Sequence, residues 1–295
     1  MPFKYADIER EYAENKNLKK EDVVYLQQWM QKQPHLPPVH ELELIFFLRS
    51  CLYSTEKAKI TIDNFFTLRA NKDVFVPVDL KRLKVVMEGA YYVLLPKLTP
   101  NGYQVLYEKI NMSSNDYIFG DHMAYIDSVS KLYLLENGSI EGLVCILDLD
   151  GYTFGHLTKV PLGSLKKYIM YLQEALPVRL ISIHFINAGP LIDKIFMMVK
   201  PLMKKELHDI MHVHTNNLET LHPFVPVDCL PSNLGGSGNS IAELHEQQKQ
   251  MVINNVDFLK KDLDKVADES KREDKSKSIN KLFGVDGSFK KLEID

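Results

Sequence analysis

Apolar residues recur at helical spacing through most of residues 1–88. The stretch EDVVYLQQWMQKQ sets Val23, Val24, Leu26, Trp29 and Met30 in that rhythm and stops at Pro34-His-Leu-Pro-Pro38. VHELELIFFLRSCLY carries Leu42, Leu44, Ile45, Phe47, Leu48 and Leu52. STEKAKITIDNFFTLRANK opens on Ser54, a natural N-cap, with Glu56 in the first turn, followed by Ala58, Ile62, Phe65, Phe66 and Leu68. The pattern predicts a small helical bundle, with Phe75–Leu80, around Pro77, as the linker out of it.

From about residue 90 to 235 the rhythm changes. Tyr103–Ile110 reads as a strand, and Phe119–Gly138 as a helix ending at its glycine. Gly142–Leu149 is a nearly continuous apolar run, as expected of a strand covered on both faces. Ser164–Leu176 is a helix stopped before Pro177, Val178–Asn187 another strand, and Ile210–Thr215 a short β-like piece. Strands alternating with helices imply α/β architecture with a largely parallel sheet. Ser240 and Glu243 form a capping box for a further helix carrying Met251, Val252, Val256, Phe258 and Leu259. The charged run 260–278 is expected to be exposed or frayed. The tail regains Leu282, Phe283, Val285, Phe289, Leu292 and Ile294, so it is expected to pack back onto the body.

One helix breaks the ordinary pattern. On a wheel from Leu191 to Met203, Asp193, Lys194 and Lys200 share one wedge, which leaves about 240° of apolar arc where a surface helix has a stripe of roughly 100°. Such a helix is either buried on two sides, or closes an apolar cavity with one face and meets a membrane or partner with the other.

Composition narrows the class. The chain has 295 residues, of which 45% are hydrophobic and 25% charged, with a net charge of −3. These values are ordinary for a globular protein and supply no basic field for nucleic acid. The N-terminus is charged throughout and lacks the apolar core of a signal peptide, and no apolar run reaches membrane-spanning length. Cys51, Cys145 and Cys229 are scattered among apolar neighbours and read as free, buried thiols in a reducing compartment. A cytoplasmic location is therefore expected, in which the sequons at Asn111 and Asn137 carry no meaning.

Candidate chemistry is sparse. No phosphate-binding loop or dinucleotide fingerprint exists, and LGGSGNS reads as a plain turn. No nucleophile elbow exists either. Asp148, Asp150 and His156 stand at the carboxyl end of a strand, where α/β enzymes place acid–base groups, but turn capping explains them as well. His212 and His214 share a strand face, with His208 and His222 near in sequence, yet no familiar zinc spacing is completed. No metal or other cofactor is expected.

Four stretches occurring in order carry a resemblance: FFLRSCLYSTEKAKITIDNFF, LVCILDLDGYTFGH, LPVRLISIHFINAGPLIDKIFMMVKPLM and HVHTNNLETLHPFVPVDCLPSNLGG. Together, over about residues 20 to 260, they resemble the CRAL-TRIO family, and the tail is similar to that of insect members. The resemblance implies an α/β lipid-binding fold with a mostly parallel sheet and a helical gate, preceded by a small all-α bundle. The implied divisions are 1–88 for the helical N-terminal part, 89–250 for the lipid-binding domain and 251–295 for a C-terminal helix and tail. It implies a non-enzymatic, monomeric carrier that binds one small hydrophobic ligand and touches membranes transiently. By position, the resemblance assigns Tyr125, Val129, Leu143, Leu147, Tyr168, Tyr171, Leu172 and Val178 to the ligand pocket, and Leu191, Ile192, Ile195, Phe196, Val199 and Leu202 to the gate. Gly189 and Pro190 are its hinge candidates. Tyr125 and Val129 replace two small serines of a tocopherol-carrying member, which implies a slimmer or differently shaped ligand such as a retinoid, carotenoid or other isoprenoid. Some members also hold a phosphoinositide headgroup in a basic cluster. Here Arg179 matches one such position, Lys200, Lys204 and Lys205 are expected to supply only looser attraction to an anionic surface, and Cys51, Ile181, Glu206 and Ile210 replace other basic residues. A phosphoinositide-binding membrane adaptor is the alternative reading.

Overall fold

The computed structural model describes residues 3–215 and 218–275. Five helices come first: α1 (Ile8–Glu14), α2 (Lys20–Gln31), α3 (Glu41–Ser50), α4 (Thr55–Arg69) and α5 (Leu80–Gly89). There follow β1 (Ala90–Leu94), β2 (Tyr103–Ile110), α6 (Phe119–Asn137), β3 (Gly142–Asp148), α7 (Phe154–Thr158), α8 (Leu162–Glu174) and β4 (Leu180–Ile186). The chain continues through α9 (Leu191–Val199), α10 (Lys205–His208), β5 (Met211–Val213), α11 (Ile241–Asn254) and α12 (Val256–Leu263). Caps foreseen from sequence are made: the Ser54 hydroxyl accepts from Lys57 N–H, and Ser240 and Glu243 satisfy each other's backbone N–H groups. Gly138 closes α6 at a φ of 92°, a conformation that suits glycine.

The strands form one sheet in the order β1-β2-β3-β4-β5, with β1 antiparallel to β2 and every other pair parallel. The pleat sorts side chains to two cores. Val105 and Tyr107 of β2, and Val144 and Ile146 of β3, enter one beneath Leu221, Val225, Leu230 and Leu244. The opposite face meets α6, α8, α9 and the N-terminal bundle. No helix among the described residues is long and apolar enough to cross a membrane.

Several expectations need correction. The stretch read as a linker, Phe75–Leu80, leads directly into a further helix, α5, whose Leu83, Val86 and Met87 are buried at helical spacing. The strand β1 was not foreseen, because five apolar residues carry no decisive period. The helix drawn from Leu191 to Met203 ends at Val199; Lys200–Leu202 tighten into a 3-10 turn and Met203 is extended. The helix after Ser240 breaks at Asn255 into α11 and α12. The charged run from 260 is not frayed over its described part. Arg272, only 2% exposed, donates to both oxygens of Asp63 on α4 (2.7 and 2.9 Å) and to Thr67 Oγ1 (2.6 Å), and Ala267 N–H reaches Phe66 O (3.0 Å). The apolar tail, 282–294, lies outside the described residues.

A buried ionic cluster joins bundle to sheet domain. Arg69 of α4, 1% exposed, donates to both oxygens of Asp127 on α6 (2.7 and 2.9 Å) and lies 3.6 Å from Asp262 on α12. Lys131 of α6 pairs with Glu43 of α3 and stands 3.5 Å from Asp262, which Lys265 approaches to 3.4 Å. Burial pushes Glu43 and Asp262 upward, but Lys131 at Glu43, and Lys131, Arg69 and Lys265 at Asp262, outweigh it and hold both carboxyls below their ordinary values. Arg69→Leu strands Asp127, weakens the field holding Asp262 charged, and is expected to cost about 3 kcal/mol and lower Tm by roughly 6–12 °C in a thermal melt.

Candidate functional site

Between the sheet and the helices lies a cavity of about 300 Å³. The pleat of three neighbouring strands builds its floor: Gln104, Leu106 and Glu108 from β2, Leu143, Cys145 and Leu147 from β3, Ile183 and Phe185 from β4. One face of α6 contributes Met123, Ile126 and Ser130, and α8 contributes Tyr168, Tyr171 and Leu172. Phe47, Phe65 and Phe75 of the N-terminal part close the end where the Arg69 and Lys131 ion pairs sit.

Of the pocket positions named from the resemblance, Leu143, Leu147, Tyr168, Tyr171, Leu172 and Val178 border this cavity. Tyr125 and Val129 do not. They lie on the far side of α6, where the Tyr125 ring meets Tyr92 edge-on at 5.9 Å and His245 at 6.3 Å. The turn of α6 selects 123, 126, 127 and 130 instead, so nothing about ligand shape follows from Tyr125 and Val129.

The helix α9 covers the cavity through Ile195, Met198 and Val199, with Met203 just beyond. Ile192 is buried on the same side, and Leu191 and Leu202 are half-buried. Phe196 turns aside to meet Phe185 edge-on at 5.5 Å, with Lys200 Nζ 4.4 Å above its ring. Only Met197, 62% exposed, carries a large apolar side chain outward, flanked by exposed Asp193, Lys194 and Lys200. The outer apolar face is thus narrower than the wheel predicted, because the helix ends early and α8 packs beside it. Gly189 has open space around it, so crowding does not dictate its choice.

The other candidates are occupied with structure. Asp148 accepts from Tyr107 OH (2.7 Å), Asn187 Nδ2 (2.7 Å) and Asp150 N–H (3.0 Å), while Asp150 pairs with Lys109 (2.6 Å). His156 accepts from Thr153 N–H at Nδ1 (3.0 Å) and donates from Nε2 to Met112 O (3.0 Å). This hydrogen bonding knits a turn and leaves no free acid–base pair. His184 and His214 share a hydrogen bond (3.0 Å), continued by Ser182 at 2.8 Å and Thr220 at 2.6 Å. Burial lowers His184 to about 3, and burial also lowers His214. Among the described residues no group of His, Cys, Asp or Glu is arranged to hold a metal. The glycine run is a turn in which a Cβ on Gly236 would meet Leu230 O at 1.8 Å. Cys145 and Cys229 are free and buried, whereas Cys51 is free and half-buried. Lys204 is paired with Glu174, and Lys200 with the Phe196 ring; Arg179 is half-buried at the entry to β4.

Sequence reasoning missed Glu108. Its strand was legible, and period 2 puts 104, 106 and 108 on one face, but nothing in the sequence said which face bounds a cavity. Burial alone raises its carboxyl from 4.5 to about 7. Tyr92 of β1 and Leu147 of β3 stand opposite in register, and Tyr92, Tyr117, Tyr152, Tyr168 and Cys145 feel its charge. Because the folded state holds this proton more tightly than the unfolded chain, Glu108 costs stability as pH rises from 4.5 to about 7. Glu108→Gln is therefore expected to raise Tm, by an amount that grows across that window and levels off above it, in melts run from pH 4.5 to 8.

A sheet floor, a helical cover and an apolar cavity between them define a binding protein for apolar small molecules. Residues 91–236 match the family model of the CRAL/TRIO domain, and residues 15–83 that of the Pinta-like UBA domain. The chain belongs to the CRAL/TRIO family. It is 25% identical to the mouse protein "Alpha-tocopherol transfer protein-like" over 81% of this chain and 71% of that one. It is likewise 25% identical to the human protein of that name, over 67% of this chain, spanning 59% of the human protein. Clavesin-1 of Xenopus laevis is 33% identical over 33% of this chain and 30% of its own length.

Proposed function

We propose that the protein is an intracellular, monomeric carrier that takes one small hydrophobic ligand of isoprenoid character into the cavity and transfers it between membranes. The observation that carries this reading is the apolar cavity lying directly beneath α9. The relatives named for tocopherol transfer support the ligand class. An enzymatic role is disfavoured by the occupied hydrogen bonds of Asp148 and His156. The adaptor reading needs a basic cluster, and Lys200 and Lys204 are held by separate partners.

Mass spectrometry of an organic extract of protein purified from its native tissue should reveal a stoichiometric apolar compound. Leu147→Trp fills the cavity from its floor and should weaken retention of an apolar fluorescent probe by at least about tenfold with the fold intact by circular dichroism, since overpacking a cavity costs little where no side chain is displaced. Unchanged retention would mean that the floor does not meet ligand.

Met197 is the one large apolar side chain that α9 presents to solvent, suited to the headgroup boundary of a bilayer. Met197→Asp should load ligand as the wild type does but transfer it severalfold more slowly to acceptor vesicles. Equal transfer at equal loading would show that this face does not touch the membrane.

A further inference from the structure

We propose that Asn187 is the positioning residue of the helical cover: its side chain latches the base of α9 to Asp148 while its backbone is held in the left-handed region, and breaking that latch lets α9 swing off the cavity. The inference rests on the carrier reading above and concerns how a ligand enters and leaves, whatever its chemistry.

The chain leaves β4 at Ile186 and enters α9 at Leu191, so residues 187–190 carry the cover. Asn187 has a φ of 51°. Side chains are sterically disfavoured there, and asparagine tolerates the region because its short amide bonds locally. In this case the amide donates from Nδ2 to Asp148 Oδ1 at 2.7 Å. The acceptor is fixed in the floor. Asp148 closes β3, is 3% exposed, and also accepts from Tyr107 OH (2.7 Å) and Asp150 N–H (3.0 Å). The next residue is tied more loosely, with Ala188 N–H 3.4 Å from His214 O. The Pro190 ring fixes its own φ, here at −58°. Gly189 lies outside the left-handed region and has open space around it. Of these four residues, Asn187 is therefore the one that holds an unfavourable backbone while the cavity is covered.

Such a conformation persists only while its surroundings impose it. Without the Asp148 bond, φ at Asn187 is free to return to the negative side, and rotation at that residue turns everything after it. The helix α9 begins four residues on and is about 13 Å long, so a modest rotation at its base carries Ile195, Met198 and Val199 away from the cavity. The base of the cover is thus a two-state element, latched with φ positive or released with φ negative. The latch has a kinetic signature. Weakening it makes opening easier in the empty and the loaded protein alike, so entry and exit quicken by the same factor and Kd stays put while the closed form dominates. Damage to the cavity wall does the reverse, changing Kd without speeding entry.

The test follows loading and release of N-phenyl-1-naphthylamine, an uncharged apolar fluorescent dye, by stopped flow. Asn187→Gly keeps the left-handed conformation accessible and removes the bond. Both rates should rise about tenfold, the worth of one hydrogen bond to a charged group, with Kd nearly unchanged. Asn187→Asp sets a second carboxylate against Asp148 and should quicken both rates at least as much. Adding Asp148→Asn to that variant exchanges donor and acceptor across the same contact and should bring both rates back toward wild type. The proposal is overturned if Asn187→Gly leaves both rates unchanged, if it shifts Kd without quickening loading, or if the exchanged pair fails to recover. Dye binding by wild type with unaltered rates in Asn187→Gly sinks the latch alone, whereas a wild type that does not bind the dye sinks the carrier reading with it.

Discussion

The buried ionic cluster around Arg69 and Lys131 is the constraint on which the rest of the molecule depends. It gathers α3, α4, α6 and α12, elements from both ends of the chain, at one point. Charges out of water are expensive unless every one is matched, so helices that come together there can do so in few ways. Arg69, Lys131 and Lys265 face Glu43, Asp127 and Asp262, three of each sign. The cluster also forms the far wall of the cavity, and that location explains why the bundle is part of the site rather than an appendage. Arg272 extends the same logic by strapping the segment after α12 onto Asp63 of α4.

With that end pinned, the cavity can exist. A void of about 300 Å³ forfeits contacts that a packed core would make, a loss on the order of several kcal/mol. The two-core design tolerates this. One sheet face is closed against Leu221, Val225, Leu230 and Leu244, so the strands stay rigid while the other face is left unfilled. A pleated floor with aromatic and branched side chains is stiff, whereas the cover is a nine-residue helix with a 3-10 turn behind it. The elements most able to move are therefore those over the cavity.

Much of this was legible in residues taken alone. The apolar run of β3, the stop before Pro177, the Ser54 and Ser240 caps and the apolar excess of α9 all follow from local rules of period, propensity and capping. Of the eight positions that the resemblance assigned to the pocket, six border the cavity. The failures have a common cause. Tyr125 and Val129 are one helical step from residues that face the cavity, and a helix apolar most of the way round does not announce which side is which. The run after α12 is rich in charge, which reads as solvent exposure until a buried partner for Arg272 is known.

The sequence by itself determined the alternation of strands and helices, the parallel α/β class, the lack of phosphate-binding or metal-binding spacing, and the unusual character of the segment after Ala188. Those properties depend on neighbours within a few residues, where period and side-chain type suffice. Tertiary structure alone decided that Glu108 faces an apolar cavity, that Arg69 meets Asp127 across 58 positions, and that Met197 is the one large apolar side chain α9 leaves exposed. These depend on which faces meet across the fold, and a carboxyl reads the same on either side of a strand until the partner of that side is in place.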